Sequence, residues 1–306
     1  MWTSVRDILL VARFEVMRAI RTWRAMALFL MYGIATGGGA YTFTRMLLVM
    51  ENALAVEMGS PKVKVPGAML DELMQRDSFR SFLSYMVGGD TVMERILDVP
   101  VLAICHLALC FALTPFFAAG ASAECISIDM GSRALRFEVL RTGRLELVSG
   151  RYVGQMILTG LAIALSVPIV WGVGLTYMTG NDPVELGGWL AWLSIRAWAF
   201  GMPFIGLGVA ASQLTSSPAW ARVMAIGATL VTWVTYTVFN GLARWESQAN
   251  DGEWVWLYDA ITNLLPQGWM HLTWSPTTWP LAAGLFATVG VALMLAGYAY
   301  FARRDL

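Results

Sequence analysis

Charge is what this chain has least of. Only 14% of its 306 residues are Asp, Glu, Lys or Arg, against 57% hydrophobic residues, and the mean hydropathy is +0.59. A soluble domain of this length needs more charge to cover its surface, so the composition excludes a water-soluble fold and favours a bilayer protein. Lysine is nearly missing, Lys62 and Lys64 being the two. Cysteine is scarce as well. Cys105 and Cys110 lie inside one apolar run and Cys125 at its end, which excludes a disulfide framework. His106 stands one turn from Cys110, but no CxxC or HxxxH spacing accompanies it; a hydrogen bond to a neighbouring helix is expected there, and no metal site. No G-x-x-x-x-G-K-[ST] phosphate loop occurs, and "GIATGGGA" lies within an apolar run rather than between a strand and a helix, so the chain is expected to be no enzyme and to carry no ATPase of its own. No secretory cleavage pattern follows the first run. No internal repeat organises the sequence.

What is present is apolar length. Residues 26–44, 99–121, 152–178, 192–213, 219–241 and 280–301 contain no Asp or Glu. Crossing a hydrocarbon core of about 30 Å takes roughly 20 helical residues, so these segments predict an all-α polytopic membrane protein with six transmembrane helices in a single domain. The fourth needs its flank, Trp192 to Ile195, and that flank is expected to bring Arg196 near one membrane face. With the N-terminus inside, residues 1–25, 122–151, 213–222 and the tail hold 13 Arg against 7 acids, while the remainder of the chain holds 8 basic residues, Arg196 of the fourth span among them, against 14 acids. The positive-inside rule therefore places both termini in the cytoplasm, and a bacterial cytoplasmic (inner) membrane is expected. Formal net charge is zero and no nucleic-acid partner is expected.

Residues 1–25 differ from a span. Val5, Ile8, Leu9, Ala12, Val16, Ala19, Ile20 and Trp23 recur at helical spacing, with Arg6, Arg13, Arg21 and Arg24 largely off that stripe. Such a helix lies in the interface with its arginines toward anionic head groups; a plain topology anchor fits equally well. The connector between the second and third spans, 122–151, is longer than a turn requires. It contains "RALRFEVLRTGRLELVSGR", five arginines and two glutamates in nineteen residues. Helical spacing pairs Arg133 with Arg136 and Glu138 with Arg141, and Leu135, Val139 and Leu140 offer an apolar side. Gly143 breaks the run. A charged, membrane-proximal helix pair suited to docking a soluble partner is predicted, the arginines acting only as a topology signal being the plainer reading.

The text "ISIDMGSRALRFEVLRTGRLELVSGRYVG" resembles the connector of the permease subunits of ABC-2 type ABC transporters. Asp129 stands where that family has an acid, Gly131-Ser132 at its Gly-containing turn, Arg144 at the turn arginine and Gly150-Arg151 at the start of the third span; the turn proline of the family is missing. "VARFEVMRAIRTWRA" is similar to the family's N-terminal interfacial helix, with Arg13, Glu15 and Arg21 in matching places, and "YFARRDL" to its common ending. The resemblance implies a transport subunit, an exporter of a lipid-like, peptide or drug-like substrate. It also implies two permease chains, identical or homologous, and two copies of a separate ABC ATPase, which would hold the ATP and Mg. The coupling contacts it implies are Asp129, Gly131, Arg133, Arg136, Glu138, Arg141 and Arg144, and this chain would bind no cofactor itself.

The outer segments hold candidates too. In 45–98, Met69, Leu70, Leu73, Met74, Phe79, Phe82 and Leu83 are spaced for an amphipathic helix, which would either meet an external or periplasmic partner or lie on the outer leaflet. Residues 242–279 are rich in tryptophan, which favours the interface, and the family resemblance implies a re-entrant segment there. Trp254, Trp256 and Trp269 are candidate external gate residues. Gly33 with Gly37, and Gly201, Gly206 and Gly208, would allow close helix approach, the first pair as a dimer or bundle contact. Two other classes of function stand beside transport: a membrane scaffold for an external assembly, and an ion-coupled carrier, which would need ionisable groups at the midplane.

Overall fold

The computed structural model describes residues 2–81, 99–180, 182–249, 253–275 and 277–303, and among these every regular element is helical. Helix α1, Trp2–Arg21, bends at Thr22, whose hydroxyl donates to Ala19 O at 3.1 Å, into the long α2, Trp23–Glu57. Then come the short α3, Leu70–Met74, the long α4, Val101–Ser122, and two five-residue helices, α5, Ser127–Gly131, and α6, Leu135–Val139. Three long helices follow: α7, Arg144–Tyr177, α8, Pro183–Leu214, and α9, Pro218–Ala249. The chain continues through α10, Val255–Thr262, a 3-10 helix, Pro266–Thr273, and α11, Trp279–Phe301.

Among the described residues five stretches are long and apolar enough to cross a membrane: Val101–Gly131, Arg144–Tyr177, Pro183–Leu214, Pro218–Ser247 and Trp279–Phe301. The chain is a multi-pass helical membrane protein. Helix α2 is long enough but is not among the five; Thr36, Gly37, Gly38, Gly39, Tyr41 and Thr42 lower its hydropathy.

Several helices exceed their apolar runs, because a helix keeps its internal hydrogen bonds after it leaves the hydrocarbon and can then carry polar side chains. Helix α7 begins at Arg144 rather than at residue 152, α2 extends to Glu57 and α9 to Ala249. Helix α8 begins nine residues before the expected 192. Its start is fixed by Asp182, whose Oδ1 accepts the Val184 and Glu185 N–H groups at 2.9 and 2.8 Å, with Pro183 at the first helical position. Arg196 is an internal residue of this helix. Thirteen residues of α8, about 20 Å of helix, precede it, and it lies buried within the helix, its guanidinium 5.1 Å from the Trp192 ring centroid.

The described residues form two compact units. The first comprises Met1–Ala25, Thr114–Thr159 and Ala199–Leu306. Its helices meet at glycine: a Cβ at Gly290 of α11 would lie 2.6 Å from Met202 O of α8, and one at Gly208 of α8 would lie 2.5 Å from Ala119 O of α4. Phe200 stacks edge-on with Phe204 and with Phe286, both at 5.4 Å between centroids.

The second unit comprises Met26–Leu113 and Gly160–Trp198. Gly33 and Gly37 both face Ile169 of α7, at 2.8 and 2.6 Å from an added Cβ, so that pair serves a contact inside the chain. His106 Nε2 lies 3.2 Å from Ser194 Oγ, joining α4 to α8, with the Cys110 sulfur 3.6 Å away. All three cysteines are free and buried, and among the described residues no group of three or more His, Cys, Asp or Glu is placed to hold a metal.

The same unit folds the segment after α2 back on itself. Glu51 is buried, and its carboxylate accepts Gly67 N–H at 3.0 and 3.1 Å and Met69 N–H at 3.0 Å. Asn52 adds two bonds with Val63, accepting its N–H at 2.9 Å and donating to its carbonyl at 3.2 Å. Pro66 O accepts Thr179 N–H at 2.9 Å. Of the expected amphipathic helix, α3 and the helical residues 77–81 are described: Leu73 and Phe79 are buried, while Phe82 and Leu83 lie outside the described residues. Lys62 and Lys64, the two lysines, sit in the clamped segment. Removing a charged acceptor costs about 1.5–3 kcal/mol, so Glu51→Ala is expected to raise the rate of lysine-specific proteolysis at least about tenfold while the rest of the chain resists; an unchanged rate would show that the carboxylate does not hold the segment.

Candidate functional site

The connector between α4 and α7 is a pair of short helices closed by local hydrogen bonds. Ser132 Oγ donates to Asp129 O at 3.3 Å and Thr142 Oγ1 to Glu138 O at 2.9 Å. Between α5 and α6 the chain turns at Arg133, whose φ of 62° is in the left-handed region that most side chains avoid. Gly143 ends the segment, its carbonyl accepting Leu147 N–H at 3.0 Å as α7 begins.

Beneath these helices lies an ionic cluster centred on Arg151 of α7, which is 2% exposed. Its Nη1 is 2.5 Å from Asp129 Oδ2, and its Nη2 pairs with Glu138 Oε2. Asp129 is shared: Arg18 Nη1 of α1 donates to Oδ1 at 3.0 Å and Oδ2 at 2.8 Å. Arg18 also lies 3.4 Å from Glu15, and Glu15 accepts a hydrogen bond from Gln155 of α7 at 3.0 Å. Burial pushes the Glu15 carboxyl above its ordinary range, against the pull of Arg151 and Arg18. Three elements, α1, the connector and α7, are thus tied through a cluster of charges, with Glu15, Asp129 and Arg151 buried and Arg18 and Glu138 half-buried.

Close approach of α1 makes this possible. Gly150 and Gly154 present a small-x-x-x-small surface on α7. A Cβ at Gly150 would lie 2.5 Å from Val11 Cβ and 2.8 Å from Ile8 O, and one at Gly154 2.9 Å from Glu15 Cβ. Ile8 and Ala12 of the apolar stripe of α1 therefore lie against α7, while Val5, Leu9, Ile20 and Trp23 of the same stripe are exposed. Arg144 joins the last helix to the same region: Nη1 donates to Phe301 O at 3.3 Å and Ala302 O at 2.8 Å, closing the C-terminus of α11, where a cation is favoured. Arg222 pairs with Glu124.

The residues singled out in the sequence therefore separate. Asp129 and Glu138 pair with Arg151 of α7, Asp129 buried and Glu138 half-buried. Gly131 is seated on the turn before α9, an added Cβ there lying 2.8 Å from Ser216 O, and Arg144 holds α11. Arg133, Arg136 and Arg141 remain exposed, and with them Phe137 at 73% and Leu140 at 83%. The sequence reading missed Phe137, Arg18, Gln155 and Gly154. The spacing of Gly150 and Gly154, and of Glu15 and Arg18, was the available signal. In α1, Arg13 and Arg21 are exposed and Glu15 belongs to the cluster.

The tryptophans also divide. Trp254 and Trp256 are exposed at the start of α10. Trp269 packs 6.0 Å from Phe286 of α11 and donates through Nε1 to Asn263 O at 3.0 Å. Gln267 of the 3-10 helix is buried and donates to Thr232 Oγ1 at 3.0 Å. Thr232 lies 17 residues before the end of α9, about 25 Å along its axis, so the segment after α10 returns deep along α9.

No protein-family model matches the chain, and no curated protein matches it at a significant level. The cluster predicts its own energetics. Arg151→Leu, which removes the cation shared by Asp129 and Glu138, is expected to lower unfolding free energy by about 3–5 kcal/mol, and Arg136→Leu, at the exposed tip, by less than about 0.5 kcal/mol; equal losses in detergent-solubilised protein would contradict the cluster's role.

Proposed function

We propose that this chain is the transmembrane subunit of an ABC-2 type ATP-binding cassette transporter, with α2 as the first of six spans. The termini and the connector face the cytoplasm of a bacterial cytoplasmic membrane, and a second permease chain, identical or homologous, completes the pore. The observation that carries this reading is the exposed tip of α6: Phe137 and Leu140 flanked by Arg133, Arg136 and Arg141, on a base fixed by buried ion pairs. An apolar pair ringed by cations suits a soluble partner with an apolar pocket and an acidic rim. The partner in this reading is an ATPase, which supplies ATP and Mg; this chain contributes no nucleotide-binding group.

The tip has a direct route to the spans. A push on α6 moves Glu138, and through Arg151 it moves α7; Asp129 passes the same displacement through Arg18 to α1. Paired charges held in a buried site form a stiff connection, whereas a solvated loop would absorb the movement. The substrate class in this reading is lipid-like, peptide or drug-like, consistent with the apolar spans.

Purification of the chain from its native membranes tests the reading. Wild type is expected to retain a separate ATPase, measurable by phosphate release. Phe137→Asp with Leu140→Asp removes two anchors worth about 2 kcal/mol each and should reduce the retained activity at least tenfold, with membrane insertion unchanged. ATPase retained equally by wild type and variant would contradict the docking site. No ATPase with either would favour a scaffold or a secondary carrier, the latter drawing on the buried Arg196.

A further inference from the structure

The face of α1 turned away from α7 is a mixture that water does not favour. Arg6, Arg13 and Arg21 are exposed there, and Leu9, Leu10, Phe14 and Met17 stand exposed among them, Leu9 at 59% and Phe14 at 56%. On a helix lying at a membrane surface both kinds of residue have partners, the apolar ones in acyl chains and the arginines in phosphates. Trp23, exposed at the bend into α2, is of the residue type that marks the interface.

Within this face Arg6 and Arg13 define one place. They are seven residues apart, so they project on the same side about 10 Å from one another along the axis. Val5, Leu9 and Leu10 lie between and beside them, and the five residues line an open groove of about 370 Å³. The acids of α1 do not compensate this pair: Asp7 is half-buried, and Glu15 is taken up by Arg18 and Gln155.

We propose that this groove seats an acidic phospholipid of the adjoining leaflet, its phosphate between the guanidinium groups of Arg6 and Arg13 and an acyl chain on Leu9 and Leu10. The charge selects the lipid: a zwitterionic head group brings its own cation and gains less from two arginines. The consequence reaches the connector, since the helix that holds the lipid on one face holds Asp129 through Arg18 on another. Acidic lipid therefore steadies the ionic cluster. The proposal rests on the membrane placement of α1 and not on the transport reading, so either can fail without the other.

Native mass spectrometry of the full chain in neutral detergent, titrated with phosphatidylglycerol or phosphatidylcholine, tests it. Two arginines at an anionic surface are worth about thirtyfold in retention, so wild type should hold phosphatidylglycerol about that much better. Arg6→Gln with Arg13→Gln should abolish the preference, Arg6→Lys with Arg13→Lys should keep most of it, and Arg133→Gln with Arg136→Gln, an equal charge loss elsewhere, should leave it intact. Equal retention of the two lipids by wild type, survival of the preference in the Arg6/Arg13 glutamine variant, or its loss in the Arg133/Arg136 variant would overturn the proposal. So would displacement of the lipid by inorganic phosphate, which would make the groove a site for free anions.

Discussion

An arginine that is 2% exposed must be surrounded by negative charge, and Arg151 imposes that demand on everything near it. It draws Asp129 and Glu138 out of the connector, and through Asp129 it draws Arg18 of α1. Satisfying one guanidinium thus decides the orientation of three separate elements. It also decides what remains outside. With those acids paired to Arg151, Arg133, Arg136 and Arg141 stand exposed beside the two apolar residues Phe137 and Leu140.

The glycines at 150 and 154 are the steric half of the same arrangement. Without them α1 could not come close enough for Arg18 to share Asp129, because a side chain at either position would meet the backbone or Cβ atoms of α1. Close packing and ion pairing are therefore not independent contributions here. The first sets the distance at which the second operates, and α1 becomes a link between α7 and the connector.

Much of this architecture was legible in the sequence, for a definite reason. A span needs an unbroken apolar run, and such runs are visible residue by residue. In the connector, the helix before Gly143 was legible from its spacing, but the turn at Arg133 that separates α5 from α6 was not, since Arg133 was expected on that helix. Less legible was where helices end: the Asp182-Pro183 cap lay outside the apolar run, so the run did not reveal where helix α8 starts. The five connector arginines look alike as text, and only packing shows that Arg151 is interior, Arg144 closes α11, and Arg133, Arg136 and Arg141 face out. Periodicity likewise revealed an apolar stripe on α1, but a stripe does not say whether lipid or protein covers it.

The central claim is that the tip of α6 meets a nucleotide-hydrolysing partner while its base is locked to the spans. A photoreactive phenylalanine analogue placed at position 137 in growing cells tests this most directly. The account predicts a crosslink to a single ATPase whose yield changes when ATP is depleted; crosslinks only to lipid, or to no protein at all with the chain correctly inserted, would contradict it.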